Sequence, residues 1–405
     1  MIKRKFQLGQ VLVLATMSLF VLTGFTVLAV DVGFLLTERR HMQTAADAAA
    51  IAGATALRYN QSYAAAATGT STLNGFSDGQ KGVTVTVNNP PSSGPYSSDS
   101  NYVEVVVKKP EPTYFLRVTG YNTMNVSARA VASSVTSPIC LYALDPSASG
   151  VLHTDGGDNI TSTCGLIVNS SSATAITSGG NIIAPSVGMV GGYSGTITSS
   201  NVRTGIAAVG DPLAYLRAPA IGSCNATYPS GFNKSSGAWT LSAGTYCGGI
   251  TVGGSASLTL NPGTYVLKGG GLNLAGNAVL TGTGGVTFYD TGTSSTYKPI
   301  TMTNDNGSVN LAAPTAGPLA GILFFQDRAI ISTAVNLIGG GNAKYQGAFY
   351  FPTTEIQLSQ GSAVPAAYTI IVAKRIGVFV NTFAIANDYS SLAKGSPIKS
   401  TALYE

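Results

Sequence analysis

The sequence predicts a mainly β protein on a membrane stalk. An N-terminal transmembrane α-helix continues into an Ala-rich helix, a small α+β unit follows, and a right-handed parallel β-helix completes the chain. Three observations carry this. No charge falls between Lys5 and Asp31. A dense Ala stretch comes next. From Pro138 onward, short aliphatic runs alternate with Gly, Asn and Ser, and one pattern returns after 22 residues, from Ile250 to Leu272. The composition agrees. Charged residues are 10% of the 405, against roughly 25% in ordinary soluble domains. Gly numbers 49, while 44% of the chain is hydrophobic. A disordered tail would have few aliphatics and high net charge. A helical bundle would need Glu, Lys and Arg on its wet faces. A nucleic-acid binder would cluster its basic residues, and here a net charge of +5 is spread over the whole chain, so no nucleic acid is expected.

The first element is Leu8 to Val30, 23 residues. At about 1.5 Å per residue it crosses a hydrocarbon core of roughly 30 Å. A cleaved signal peptide has a shorter apolar region ending at a small-residue site. Ala29-Val30-Asp31-Val32-Gly33 offers no such site, so the segment reads as a permanent single-pass anchor. Lys3, Arg4 and Lys5 precede it, and Arg39 and Arg40 follow. The excess of basic residues on the N-terminal side sets the N-terminus inside and the bulk of the chain outside. That places the protein in the cytoplasmic (inner) membrane, with the lipid bilayer as its first partner. Four cysteines suit an oxidising compartment.

The second element runs from Leu35 to about Tyr59. Ala45, Ala46, Ala48, Ala49, Ala50, Ala52, Ala54 and Ala56 give very high helix propensity, and Gly53 costs about 1 kcal/mol relative to Ala. Small residues let neighbouring backbones approach closely. Two readings stay open: a helix lying on its own small domain, and a pilin-like stem packing against other subunits. Asp31, Gln43 and Asp47 are the polar positions of this packing helix, with plain solvation as the simpler role.

Three stretches carry a resemblance. They are Gly9-Gln10-Val11-Leu12-Val13-Leu14, Ala29-Val30-Asp31-Val32-Gly33, and the run Arg40-His41-Met42-Gln43-Thr44-Ala45-Ala46-Asp47-Ala48-Ala49-Ala50-Ile51-Ala52-Gly53-Ala54. Together they resemble the N-terminal region of TadG-like Flp pilus-assembly proteins, strongly over about the first 60 residues and more weakly to Ser134. The resemblance implies a bitopic membrane protein at the envelope base of a bacterial tight-adherence pilus machine, with other pilus-assembly or pilin-like subunits as partners. Some members carry a von Willebrand A domain, which this sequence lacks. Related pseudopilins are cut after a Gly with Glu at the fifth position beyond. Counted from Gly9, that position is Leu14.

Residues 61–136 form the small α+β unit. Val83 to Val87 alternates as a half-buried strand should. Tyr102 to Val107 is a second strand, with the Pro90-Pro91 loop between them because Pro cannot join a ladder. Thr113 to Gly120 reads as a short helix closed by Gly120, and Asn125 to Ser133 alternates again.

Residues 137–405 hold the repeat. Ile250, Val252, Gly254, Ala256 and Leu258 lie on Leu272, Leu274, Gly276, Ala278 and Leu280, with looser echoes at Ile300, Val335 and Ile356. A fixed period in this range signals a solenoid. Short strands without helices select a parallel β-helix, in which each coil buries its apolar face only by stacking on neighbours. The alternative is an antiparallel β-sandwich, whose strands usually recur at shorter spacing. Residues 211–243, with three prolines and Trp239, read as an excursion from the regular coils. Stacked coils bring Cys140 near Cys164 and Cys224 near Cys247, which gives the expected disulfides.

Chemistry is weighed last. Asp145, Ser147 and Ser149 match a metal-site signature, but no doubly wound α/β domain surrounds them. Asp155 and Asp158 could form a single calcium turn, but a repeat-in-toxin site needs an array. Asp327-Arg328 and Lys374-Arg375 read as solvated turns. Catalytic residues, cofactors and metal ligands are all expected to be none. The expected role is structural and non-enzymatic, in pilus assembly. A surface adhesin binding glycans through exposed Tyr, Trp239 and Asn is the alternative. A membrane-tethered polysaccharide lyase or hydrolase is the enzymatic rival.

Overall fold

The computed structural model describes residues 8–58, 61–136, 138–303, 306–340, 342–359, 366–393 and 395–404. The basic flank Lys3, Arg4 and Lys5 lies outside them. The protein is mainly β, with one long N-terminal helix and a large parallel sheet. It divides into two compact units: Met1–Val135 with Lys399–Glu405, and Thr136–Ile398. The helical stem and the small α+β region are therefore one body. The last residues return to it rather than ending the repeat.

In the first unit, helix α1 runs unbroken over Leu8–Arg58. Helix α2, Tyr63–Leu73, begins at Ser62, whose side chain accepts from the Ala65 N–H. Strands β1 (Thr84–Asn88), β2 (Tyr102–Pro112) and β3 (Thr123–Thr136) pair antiparallel in that order. Lys399–Tyr404 adds the fourth strand beside β3. The sequence ended β2 before its prolines, yet it continues through Pro110 and Pro112. The register with β1 stops at Thr84 opposite Lys108. Beyond that point the edge facing β1 is free, so a missing N–H there breaks no ladder.

The Ala-rich face of α1 packs on its own sheet. Met42, Ala45, Ala46, Ala49, Ala50 and Ala54 are buried with Val103, Val105 and Val107 of β2 and Ala128, Ala130 and Ala132 of β3. Small side chains bring helix and sheet close together. At Gly53 a Cβ would stand 3.0 Å from Val103 Cγ1 and 3.3 Å from the Tyr63 carbonyl. The first of the two stem readings, a helix on its own domain, holds for this face.

In the second unit every described strand pairing is parallel, so the antiparallel sandwich does not describe it. One ladder can be followed residue by residue: Gly244, Tyr265, Phe288, Phe324, Phe349, Ile371, Leu141, Leu166, Val187, Val202. A second runs Val252, Leu274, Met302, Ile338, Leu358, Val378, Thr154. Along both, residue numbers rise and then drop back to the start of the unit. The chain enters mid-ladder at Ile139, advances to Val202, and forms its next strand at Phe232 at the opposite end, after a single bridge from Cys224 to Thr245. It then returns until Ile371 lies beside Leu141. Strand order along the ladders is thus a circular permutation of chain order, and the first and last strands of the unit are neighbours. This suits a unit inserted between β3 and the strand Lys399–Tyr404.

The repeat of 22 is the register itself, with Ile250 opposite Leu272. The looser echo at Val335 is one residue off. Thr301 faces Leu337, which places Asn336 in line with Ile300. Asn336 is fully buried and occupies an inward position where an aliphatic was expected. The turns stack as well. Gly249 has φ +80°, and a Cβ there would sit 2.3 Å from the Gly271 carbonyl, so only Gly fits.

The excursion also differs from its expected bounds. Strands resume at Phe232–Lys234 and Ala238–Leu241, so Trp239 belongs to a strand. The strand-free stretch is 204–231, and it is laced to the ladder. Leu213 and Leu216 are buried in the core. Arg328 Nη1 and Nη2 donate to the carbonyls of Leu216 and Leu213 at 3.0 and 2.7 Å. Asn169 and Val209 exchange two hydrogen bonds. Arg328 is therefore a clamp on this strap and not a solvated turn residue.

Candidate interaction site

Asp31 follows directly on the uncharged run of α1, yet it is fully buried. Its carboxylate accepts from three successive backbone N–H groups: Tyr114 at 2.9 Å, Phe115 at 2.9 Å and Leu116 at 2.6 Å. Those donors open the 3-10 helix Leu116–Thr119, which Gly120 closes at φ 96°. Burial pushes the Asp31 carboxyl up, but the three N–H donors outweigh it and hold the pKa below its ordinary value. The tip of the β2–β3 hairpin is thereby pinned at the height of residue 31.

Gln43 Nε2 donates to Asp47 Oδ1 at 2.7 Å and to the Arg129 carbonyl at 2.9 Å. All three polar positions read from the helix thus hold partners within the first unit. They fasten α1 to β3 and to the hairpin tip.

Glu104, inside β2, was not singled out in the sequence. It is fully buried and gathers donors from Asn88 Nδ2 (2.7 Å), the Ser92 N–H (2.9 Å), the Ser92 hydroxyl (2.6 Å) and Arg129 Nε. Burial pushes its carboxyl up, and these donors bring it down to about 2. The available signal was a lone acid interrupting Tyr102-Val103-Glu104-Val105, with Arg129 on the next strand in sequence.

The face of α1 away from the sheet is open, with Val32, Leu36, Thr44 and Ile51 exposed. The hairpin tip is open as well: Tyr114, Phe115, Val118, Tyr121 and Met124 are exposed large apolar residues.

In the second unit, Cys140–Cys164 and Cys224–Cys247 are disulfides. Asp145 accepts from the N–H groups of Ser147 and Ala148 at 3.1 and 2.9 Å. This is a self-closing turn. The Asp155 carbonyl accepts from the Asp158 N–H at 3.1 Å, another turn. Among the described residues no three His, Cys, Asp or Glu side chains converge as metal ligands. Trp239 stacks edge-on with Phe232 and lies under the Lys234 ammonium at 4.2 Å. Asp290 is fully buried, and neither oxygen has a donor at hydrogen-bond geometry. The nearby Tyr297 hydroxyl donates instead to Asn336 Oδ1. Burial pushes the Asp290 carboxyl well above its ordinary value, against a weaker pull from Tyr297.

The exposed helix face and hairpin tip lie on the N-terminal unit, and the comparisons fall there too. Residues 9–56 match the family described as putative Flp pilus-assembly TadE/G-like. Residues 39–132 match the family described as putative Tad-like Flp pilus-assembly. A comparison with curated proteins and one with solved structures each found no match. The two matched stretches cover α1, α2 and strands β1 to β3, and over this N-terminal region the chain is similar to TadE/G-like Flp pilus-assembly proteins.

Proposed function

We propose that the protein is a membrane-anchored, extracytoplasmic component of a Flp (tight-adherence) pilus assembly system, with a structural and interaction role and no enzymatic activity. The observation that carries this reading is the overlap of the two family matches with one physical body, residues 9–132. Helix α1 contains a window apolar enough to cross a membrane, with a mean hydropathy of 2.2. It anchors the protein in the cytoplasmic membrane with its N-terminus inside. Its Ala face is spent on its own sheet, so partner subunits of the machine meet the opposite face, around Thr44 and Ile51. The second unit is a parallel β-helix of three-strand coils, and its weakly charged flank faces outward for protein or glycan contact.

The non-enzymatic reading gains support from how the charged candidates are used. Asp327 accepts from Thr291 Oγ1 and the Ala329 N–H, and Arg328 clamps the strap. A lyase would keep such groups free in a groove. The adhesin reading retains Tyr193 on the outward strand Tyr193–Thr198, whereas Trp239 is engaged internally.

The test is fractionation and extraction from the native cell. Membrane retention, protease accessibility of residues beyond α1 from the outer side only, and co-purification with pilus-assembly subunits support the proposal. Recovery as a soluble protein, or retention on glycans without any assembly partner, overturns it.

A further inference from the structure

We infer that the tip of the β2–β3 hairpin, residues 113–124, is a second membrane contact, seated in the lipid headgroup layer beside α1. The inference rests on the anchor reading above and adds a surface to it. Its partner is the outer face of the same bilayer.

The argument starts from height. The uncharged run of α1 ends at Val30 and Asp31 is the first charged residue after it, which sets the boundary of the hydrocarbon there. Asp31, one residue on, holds the backbone of Tyr114, Phe115 and Leu116. The ring of Phe34 meets that of Tyr114 edge-on at 5.2 Å. The tip is thus tied to the helix where a bilayer surface would lie. The rest of the sheet climbs away, since the Arg129 carbonyl of β3 is bonded at Gln43. With a rise of about 1.5 Å per residue, those twelve helical positions lift it roughly 18 Å above the tip.

The second observation is what the tip exposes. Val118 is 85% exposed and Tyr121 65%, with Tyr114, Phe115 and Met124 also exposed. Five large apolar side chains within eleven residues are a patch of the kind that marks an interaction site. Aromatic residues with one polar end suit the headgroup zone, and Arg117 sits among them in the 3-10 helix.

The third observation is a recess of about 480 Å³ between α1 and the start of β3. Its lining includes Val32, Leu35, Leu36, Leu116 and Met124, together with Arg39. Apolar walls continuous with a membrane-spanning helix, and a guanidinium beside them, fit an acyl chain with its phosphate. A pilin subunit or a second copy of the chain could cover an apolar patch. Neither accounts for its position at the end of the apolar run.

Physically, a single helix leaves a domain free to tilt and swivel. A second contact at the same surface removes most of that freedom, so the first unit would stand at a fixed angle to the membrane.

The experiment uses the full chain in vesicles of phosphatidylethanolamine and phosphatidylglycerol carrying brominated acyl chains. Trp239→Phe clears the only native Trp. Val118→Trp then reports on the tip, Tyr121→Trp repeats the reading at a second exposed site, and Phe20→Trp reports on the anchor. The expected result is a twofold or greater loss of emission for the tip variants with bromines near the headgroup. Phe20→Trp should lose more with bromines placed deep. Quenching at Phe20→Trp without quenching at either tip variant overturns this inference and leaves the anchor standing. No quenching at any site overturns both. Tip emission that is unquenched but blue-shifted, together with crosslinking between chains, assigns the patch to a protein partner and likewise overturns it.

Discussion

Two buried carboxylates show how differently the two units are built. Glu104 in the first unit and Asp290 in the second are both fully inaccessible. Glu104 is surrounded by donors from three other residues. Asp290 lies among stacked strands with no donor at hydrogen-bond geometry. The first unit spends polar groups to fix geometry: Asp31 holds the hairpin tip, Gln43 ties α1 to β3, and Glu104 ties β1, β2 and β3. The second unit relies on repetition, with buried side chains stacking strand on strand along parallel ladders. A body that must hold a defined angle needs directional bonds. A ladder of parallel strands needs only matching neighbours.

The sharpest way to break this contrast is to damage the ladder. Phe324 stacks on Phe288 at 5.6 Å and meets Phe349 at 5.3 Å. Phe324→Ala should cost the second unit about 3–5 kcal/mol. Amide exchange resolved by unit is the measurement. Protection should fall across the strands paired around Phe324 and stay unchanged in β1–β3. An equal fall in both units would show that they unfold as one.

pH should move the two units in opposite directions. Glu104 titrates at about 2 when folded and near 4.3 when unfolded. Its pKa is depressed, so its contribution is present above about pH 4.3 and is lost as pH falls toward 2. The size is of order 2–3 kcal/mol. Asp290 has a raised folded pKa. Its folded form keeps a proton that the unfolded chain releases above about pH 3.9. Its contribution is therefore full in acid and declines as pH rises toward the folded value. Glu104→Gln should flatten the acid slope of the first unit. Asp290→Asn should flatten the opposite slope and raise the melting temperature of the second unit at neutral pH. Unit-resolved unfolding between pH 2 and pH 8 checks both. Slopes of the same sign would remove the distinction.

Asp31 sharpens the comparison at one point. Asp31→Ala leaves the N–H groups of residues 114–116 without their acceptor, at a cost of about 1–2 kcal/mol. The loss should be local. Exchange at those three amides should quicken while the β2–β3 register persists. Loss of the whole hairpin would make Asp31 a keystone of the sheet rather than a pin on its tip.

What could be read from the sequence follows the range of the interaction. Helix α1 and the 22-residue repeat were legible because hydrophobic spacing is local and repeats. The coil echo failed by one residue at Asn336, because a buried amide bonded to Tyr297 and Thr354 stands where an aliphatic was sought. The circular permutation left no local trace, since nothing near Leu141 announces Ile371 as its neighbour. Asp31 was noticed as a polar group on the helix, but its partners lie more than eighty residues away. Arg328 was misread for the same reason, its carbonyl partners at Leu213 and Leu216 being over a hundred residues back.

Gly53 gives the smallest effect and the finest test of close packing in the first unit. Helix propensity alone says that Gly53→Ala should stabilise α1 by about 1 kcal/mol. Packing opposes it. The new Cβ would meet Val103 Cγ1 at 3.0 Å, the Tyr63 carbonyl at 3.3 Å and Ala67 Cβ at 3.4 Å. Val103 is fully buried within the sheet, and a backbone carbonyl cannot rotate away as a side-chain end can. Overpacking costs of about 1–3 kcal/mol therefore outweigh the propensity gain, and a net loss of about 1 kcal/mol is expected in chemical denaturation. A net gain would show that β2 can retreat from the helix, and that the Ala face is looser than its full burial implies.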